Sequence, residues 1–226
     1  MHSHILPGID DGSPSIEVSL ELIRGMVALG YKKLIATPHV MWDMYQNTTE
    51  TIQSAHRQLK EALRQAGIKV QTGAAAEYYL DEYFVQLLDT NTPLLTIKDN
   101  KVLIEFSFVS SPFDIKDILF KLQIKGYQPI LAHPERYLYL AGNKGFYDEL
   151  RAAGCLFQVN LLSLANYYGK GATELANYLV KKNYVSLLGT DLHHERHLHA
   201  LENSGTTLVN AVQKLLDSGN LINTSL

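Results

Sequence analysis

Apolar positions along this chain follow two rhythms, and the rhythms alternate. Ile16, Leu20, Ile23 and Val27 recur at the three-to-four-residue spacing of a helix face. Ser13-Pro14 supplies an N-cap and a first-turn proline ahead of them, and Gly30 supplies a stop. The short run Leu34-Ile35-Ala36-Thr37 then has strand character. The same succession continues to the end. Helical spacing is predicted over about 49–66, 81–88, 114–125, 146–153, 174–182 and 198–216, with Gly67, Gly126 and Gly154 as stops. Strand-like runs lie between them at Lys69-Val70-Gln71-Thr72, Val102-Leu103-Ile104, Pro129-Ile130-Leu131-Ala132, Leu156-Phe157-Gln158-Val159 and Val185-Ser186-Leu187-Leu188.

Alternation of this kind predicts an α/β fold of parallel strands joined by crossover helices. Six strand-like runs are legible, and a seventh is expected just before His2. Seven strands with about seven helices predict a distorted TIM-like (β/α)7 barrel; an open doubly wound sheet is the alternative, since the same alternation builds either. No repeat, low-complexity tract or flexible linker divides residues 1–226, so one domain is expected. The opening Met1-His2-Ser3-His4 leaves no room for the expected first strand, so a trimmed N-terminus is expected.

Composition adds limits. The 226 residues are 46% hydrophobic and 19% charged, with a net charge of −3, so no basic field favours nucleic acid. No apolar run reaches the ~18 residues of a membrane span, and no signal-peptide pattern is visible in these residues, although targeting information upstream of a trimmed start is expected to be missing from them. The lone Cys155 cannot form an internal disulfide, which suits a reducing compartment and a cytoplasmic location. Nine histidines are many for this length, and His193, His194, His197 and His199 lie close together.

The chemistry sits at the ends of the predicted strands. His39 follows the first legible run, Glu77 the second, and Glu105 ends the third. His133, Asn160, Asp191 and His193 follow the others, and His2 and His4 open the chain. In β/α barrels the carboxyl ends of the strands share one face, so residues distant in sequence converge there. His2-x-His4 and Asp191-x-His193 are spaced by two, which in extended chain aims both side chains to one side. The set is imidazole and carboxylate with no thiolate, suited to Mn, Fe or Zn. Each residue alone has a plainer reading as a surface histidine or strand-end acid. Glu105 between Ile104 and Phe106 is harder to dismiss, because an unpaired buried carboxylate is costly.

Taken in order, His2-Ser3-His4-Ile5-Leu6-Pro7-Gly8-Ile9-Asp10-Asp11-Gly12, Thr37-Pro38-His39, Gly73 to Glu77, Glu105, Ala132-His133-Pro134-Glu135-Arg136 and Gly189-Thr190-Asp191-Leu192-His193 resemble the PHP (polymerase and histidinol phosphatase) superfamily. In detail they are similar to its bacterial tyrosine phosphatases encoded with capsule and exopolysaccharide genes. The resemblance implies three divalent ions, manganese first, with iron or zinc as alternatives. By position, His2, His4, Glu77 and Asp191 would hold one; Glu77, Glu105 and His133 a second; His39 and His193 a third, with Asp11 in preference to Asp10. Arg136 and Arg196 would bind phosphate oxygens. A metal-activated hydroxide would then hydrolyse phosphotyrosine, whose phenolate, with a pKa of ~10, leaves readily. The implied partner is a cytoplasmic tyrosine autokinase controlling polysaccharide synthesis.

Histidinol-phosphate phosphatase is the nearest enzymatic alternative. A polymerase-associated nuclease is disfavoured by the acidic balance, and a catalytically silent metal-binding module by the intact ligand set. The cysteine route to dephosphorylation is disfavoured too: Cys155 opens an apolar strand and no arginine follows it within a dozen residues. The loop Val40-Met41-Trp42-Asp43-Met44-Tyr45 is either a wall beside the phenol ring or a loop packed on itself, and Tyr137 and Tyr139 have the same two readings. Phe84, Leu87 and Leu88 are expected to be core.

Overall fold

The structure is a computed structural model describing residues 1–226. In chain order the elements are α1 (Ile16–Ala28), β1 (Lys33–Ala36), β2 (His39–Val40), α2 (Thr49–Gln65), β3 (Gln71–Ala74), β4 (Glu77–Tyr79), α3 (Glu82–Asp89), β5 (Lys101–Glu105), α4 (Ile115–Ile124), β6 (Gln128–Ala132), α5 (Gly145–Ala152), β7 (Leu156–Asn160), α6 (Lys170–Lys181), β8 (Val185–Gly189), α7 (Glu195–Asn203) and α8 (Gly205–Asp217). All strand pairings are parallel, as β1-β3 and as β2-β4-β5-β6-β7-β8.

Hydrogen bonds carry the two sheets into a ring. Ala75 N donates to Ala36 O and Glu77 N to Pro38 O, so β1–β2 and β3–β4 are two interrupted staves lying side by side. Residues 2–4 close the circle. His4 N donates to Leu192 O and Asp191 N to His2 O on the β8 side, and Thr37 N donates to Ser3 O on the β1 side. Residues 2–4 thus stand between β8 and β1, at the carboxyl ends of these neighbours.

Alternation sorts the strand residues onto two surfaces. Outward positions such as Leu34, Val102, Ile104, Leu131, Phe157 and Val159 join the helices in a core of 44 buried residues. Inward positions Ile35, Ala75, Leu103, Ile130, Ala132 and Leu187, with Ile97, form a separate apolar layer of 7 residues. Ile222 and Leu226 pack against that layer. Their segment is tied down by Ile222 N to Ser186 O and by Asn223, whose side chain pairs with both backbone groups of Leu188.

Two local readings need correction. The N-cap of α1 is Ser15, not Ser13. Ser13 is instead committed to the first loop: its N donates to His4 O and its Oγ to Ser15 O, so the helix starts two residues later. The predicted final helix over 198–216 is two helices, α7 and α8, parted at Gly205, whose φ of +56° lies in the left-handed region. No helix is long and apolar enough to cross a membrane.

Candidate metal centre

Three overlapping groups of donor atoms lie at the carboxyl end of the ring: His2, His4, Glu77 and Asp191; His39, Glu77 and Glu105; and His4, Asp11, His39 and His193. Within each, the donor atoms lie within 4.8 Å of one another. In the first, His2 Nε2 stands 3.1 Å from Glu77 Oε2 and 3.3 Å from Asp191 Oδ1. His4 Nε2 stands 3.3 Å and 3.5 Å from the same two oxygens. Beside the second group, His133 Nε2 lies 3.0 Å from Glu77 Oε1 and 3.9 Å from Glu105 Oε2. In the third, His39 Nε2 and His193 Nε2 each stand 3.5 Å from Asp11 Oδ1.

The resemblance placed His39 in the third set only. The geometry sets it between two groups, because Nδ1 faces Glu105 and Glu77 while Nε2 faces Asp11, and a neutral imidazole has a lone pair for only one of them. Asp10, the other acid of the first loop, stands behind His4: its Oδ2 is 2.8 Å from His4 Nδ1. Asp10 also accepts from Gly12 N and His39 N, which fixes its carboxylate and turns His4 Nε2 inward. Gly12 is required for that fold-over, since a Cβ there would lie 2.1 Å from His4 O.

A relay orients the other side of the cluster. His2 Nδ1–H donates to Gln158 Oε1 at 2.5 Å. Gln158 Nε2 donates to Asn160 Oδ1 at 2.9 Å, and Asn160 Nδ2 to Asp191 Oδ2 at 2.8 Å. Arg136 Nη1 reaches the same Oδ2 at 2.9 Å, leaving Oδ1 toward the imidazoles. His193 Nδ1–H donates to Asp191 O at 2.9 Å, which aims Nε2 at the cluster. Gln158 and Asn160 sit two apart on the inward face of an otherwise apolar strand, a pattern legible in sequence. Gly189 makes room for them, because a Cβ there would meet Gln158 Nε2 at 2.4 Å.

Backbone strain collects here. His2, His133 and Asp191 have φ of +64°, +32° and +50°. Every other non-glycine residue in that region is Asn or Asp, which tolerate it better.

Electrostatics are those of an ion-pair network. Burial alone raises the pKa of Glu77 and Asp191, but the surrounding imidazoles, His2 foremost, hold both well below the usual carboxylate range. Burial lowers His39 and so does His4, yet Glu105 and Glu77 outweigh them and lift it to about 9. His4 is raised well above its ordinary value against burial, chiefly by Asp10, and His133 is raised by Glu77. Asp11 falls to about 2, mostly through its bond to His193.

Two observations test whether this donor set suits divalent cations. His39 Nδ1 and Glu105 Oε1 are 2.7 Å apart, yet both are buried and make no hydrogen bond. Two lone-pair donors converging without bonding each other is the arrangement a shared cation explains. The donors are also all imidazole nitrogen and carboxylate oxygen, which suits Mn, Fe or Zn. The residues fit a metal cluster.

The groups open onto a cavity of about 290 Å³, whose wall includes Arg136, Phe108, Tyr168, His194 and His197. His193 N donates to His197 Nδ1 and His197 N to His194 Nδ1, so each of these two rings carries its proton on Nε2. Burial lowers both, His197 to about 4, so they are neutral donors.

The whole of this site lies within the part of the chain, residues 1–215, that matches a family described as capsular polysaccharide synthesis, CpsB/CapC. The chain belongs to the CpsB/CapC family. It is 32% identical over 205 residues to the tyrosine-protein phosphatase YwqE of Bacillus subtilis, covering 89% of this chain and 80% of that protein. It is 29% identical over 200 residues to the tyrosine-protein phosphatase CpsB of Streptococcus pneumoniae, covering 85% and 82%. A crystal structure from work on YwqE and CpsB, described there as unique metal-dependent tyrosine phosphatases, superposes with a TM-score of 0.81 at 29% identity over 95% of this chain and 92% of that one.

One expected site residue lies elsewhere in this CpsB/CapC chain. Arg196 is exposed and does not line the cavity. The N-cap at His194 turns the first turn of α7 so that His197 faces inward and Arg196 outward. Arg136 is not paired with Glu135, which is buried and accepts from Asn160 N and Ser163 Oγ. The Trp42 loop packs on itself through the Met41–Tyr45 bridge, and Trp42 stacks on Tyr83 at 3.9 Å, away from the cavity. Tyr137 is fully buried, its Oη accepting from Phe106 N, and Tyr139 Oη donates to Ser107 O. Cys155 is fully buried, and burial pushes its thiol up to about 12, so it is no nucleophile. Phe84 and Leu88 are core, and Leu87 is partly buried against it. Tyr168 and Phe108 went unread in sequence because each stands in a loop, where no periodicity marks an inward face.

Proposed function

We propose that this chain is a metal-dependent protein-tyrosine phosphatase acting in capsular or exopolysaccharide synthesis. The observation that carries the reading is Glu77, a fully buried carboxylate shared by two donor groups, beneath a cavity walled by Arg136. His2, His4, Glu77 and Asp191 would hold one cation; Glu77, Glu105 and His133 a second; Asp11 and His193 a third, with manganese the first choice. His39 stands between the last two and would serve one of them, since a neutral imidazole has a single ring lone pair. The cations, when bound, supply Lewis-acid stabilisation of phosphate oxygens and lower the pKa of water toward neutrality.

The chain's own residues do the rest. Arg136 uses one Nη on Asp191 and keeps its other donors for phosphate oxygens, which a planar fork matches in pairs. His194 and His197 add neutral N–H donors at the rim. Phe108 and Tyr168 both lie against the guanidinium, with ring centroids 4.7 Å and 4.5 Å away, and give an aryl ester apolar surface to lie against. A phenolate leaving group needs little protonation, so the reaction makes a small demand on a general acid. The substrate is a phosphotyrosine protein, a tyrosine autokinase of the cytoplasm, and residues 1–226 act as one domain.

The test uses p-nitrophenyl phosphate, a phosphotyrosine peptide and histidinol phosphate. Chelation should abolish hydrolysis of the first two, and Mn²⁺ should restore it. Full turnover in verified metal-free protein removes the metal reading; preference for histidinol phosphate over the peptide removes the substrate reading.

A further inference from the structure

Beside the phosphate cavity lies a second hollow of about 210 Å³, lined by Phe108, Arg136, Leu138, Tyr168 and Ala172. Three of these residues, Phe108, Arg136 and Tyr168, also line the main cavity. The two hollows therefore share one wall. That wall is built to stay in place. Arg136 packs against two rings and is bonded to Asp191. Tyr139 Oη fastens the 138–142 turn to Ser107 O, next to Phe108. Leu138 rests on the bare backbone of Gly171, where an added Cβ would come within 3.2 Å of Leu138 Cδ2.

Apart from Arg136, already paired, the lining is uncharged and mostly hydrocarbon. Phe108 and Leu138 are 50% and 54% exposed, unusual for large apolar side chains at the rim of a polar site. Phe108 stacks on the His133 ring with centroids 5.6 Å apart, which ties this wall to the edge of the donor groups, while Leu138 lies farther out against Gly171.

We propose that this hollow is a binding subsite for an apolar side chain one or two positions from the phosphotyrosine in the substrate chain. The proposal rests on the phosphotyrosine reading of the main cavity. An extended chain advances ~3.3 Å per residue, so a neighbour one or two positions away is displaced by only ~3–7 Å, and the two hollows are parted by a single wall of three side chains. A phosphate group held by the metal cluster leaves the adjoining residues of the chain at this rim. An apolar neighbour there covers Leu138 and Phe108 from water, whereas a polar one of equal size loses hydration against the same hydrocarbon.

The experiment compares the metal-loaded protein on two phosphotyrosine peptides that differ only in carrying Leu or Asn at the flanking positions, with p-nitrophenyl phosphate as a substrate too small to reach the hollow. The wild type should favour the Leu peptide in kcat/KM by roughly tenfold. In Leu138→Asp, at an exposed position that tolerates charge, the ratio of the two peptides should fall to about one. A wild-type ratio near one, with p-nitrophenyl phosphate hydrolysed, overturns the subsite and leaves the phosphatase reading standing. Failure on all three substrates removes that reading instead. A wild type that self-associates in solution, with Leu138→Asp abolishing the association while keeping the wild-type peptide ratio, overturns the proposal in favour of an interface between copies.

Discussion

The interior of the ring has two ends made from the same strands, and they are opposites. Toward the strand starts lie Ile35, Ala75, Leu103, Ile130 and Leu187, an apolar layer covered by Ile222 and Leu226. Toward the strand ends lie His2, His4, Glu77, Glu105 and Asp191, all buried and all ionisable. Leu103 and Glu105 belong to one strand, two residues apart, so alternation puts both inside. The first layer gains stability by excluding water. The second gives it up: it carries backbone strain, orphaned polar atoms and a carboxylate ringed by imidazoles. The apolar floor is what allows the polar layer to be buried at all, because it fixes the staves without help from the groups above.

That contrast can be broken most severely at Glu77. Glu77→Gln keeps the shape but removes the charge that two donor groups share. We expect metal content to fall and kcat/KM on p-nitrophenyl phosphate to drop by roughly a thousandfold or more. Wild-type metal content and turnover in this variant would show that the polar layer is a structural network only.

The next effect is expected in the floor. Leu103→Ala should lower unfolding stability by about 2–5 kcal/mol in urea melts while metal content at 25 °C stays at the wild-type level. Loss of metal at unchanged stability would mean that the two layers are not separable.

Arg136→Ala sharpens the border between cluster and substrate. It should reduce kcat/KM by roughly ten- to a thousandfold, with Arg136→Lys recovering part, since an ammonium lacks the two-pronged geometry. Asn160 still holds Asp191 Oδ2 in the variant, so metal content should remain near normal. Metal loss equal to that of Glu77→Gln would assign Arg136 to the cluster instead.

The smallest effect is a pH dependence confined to the polar layer. In metal-free protein His39 has a pKa of about 9 against an ordinary 6.5, so its ion pairs contribute fully below pH 6.5 and are lost as pH rises through 9. Glu77 and Asp191 are depressed, so their contribution is present throughout that window and lost only in acid. The melting temperature of chelated protein should therefore fall by a few degrees between pH 6.5 and 9. Metal-loaded protein should not follow, because cations hold the imidazoles deprotonated. Parallel curves for the two forms would place the titrating group outside the site.

Much of this was legible in the residues. The alternation of helical and strand spacing carried the parallel α/β class, and polar residues following apolar runs marked the positions that meet at one end. Those features are local: a strand's inward face follows from its period, and a carboxylate inside an apolar run must find a partner. Even Gln158 and Asn160 were open to reading by the same rule. Tertiary structure alone decided the rest. Whether Asp10 or Asp11 faces the cluster depends on how Gly12 lets the first loop fold over His4, which no spacing encodes. Whether Arg196 or His197 looks inward depends on where α7 begins, and Ser13 lost its cap role to a bond with His4. Phe108 and Tyr168 reach the cavity from loops, whose side chains have no period to betray their direction. Sequence determines which groups can be buried on a face; only the assembled fold sets which of their neighbours they meet there.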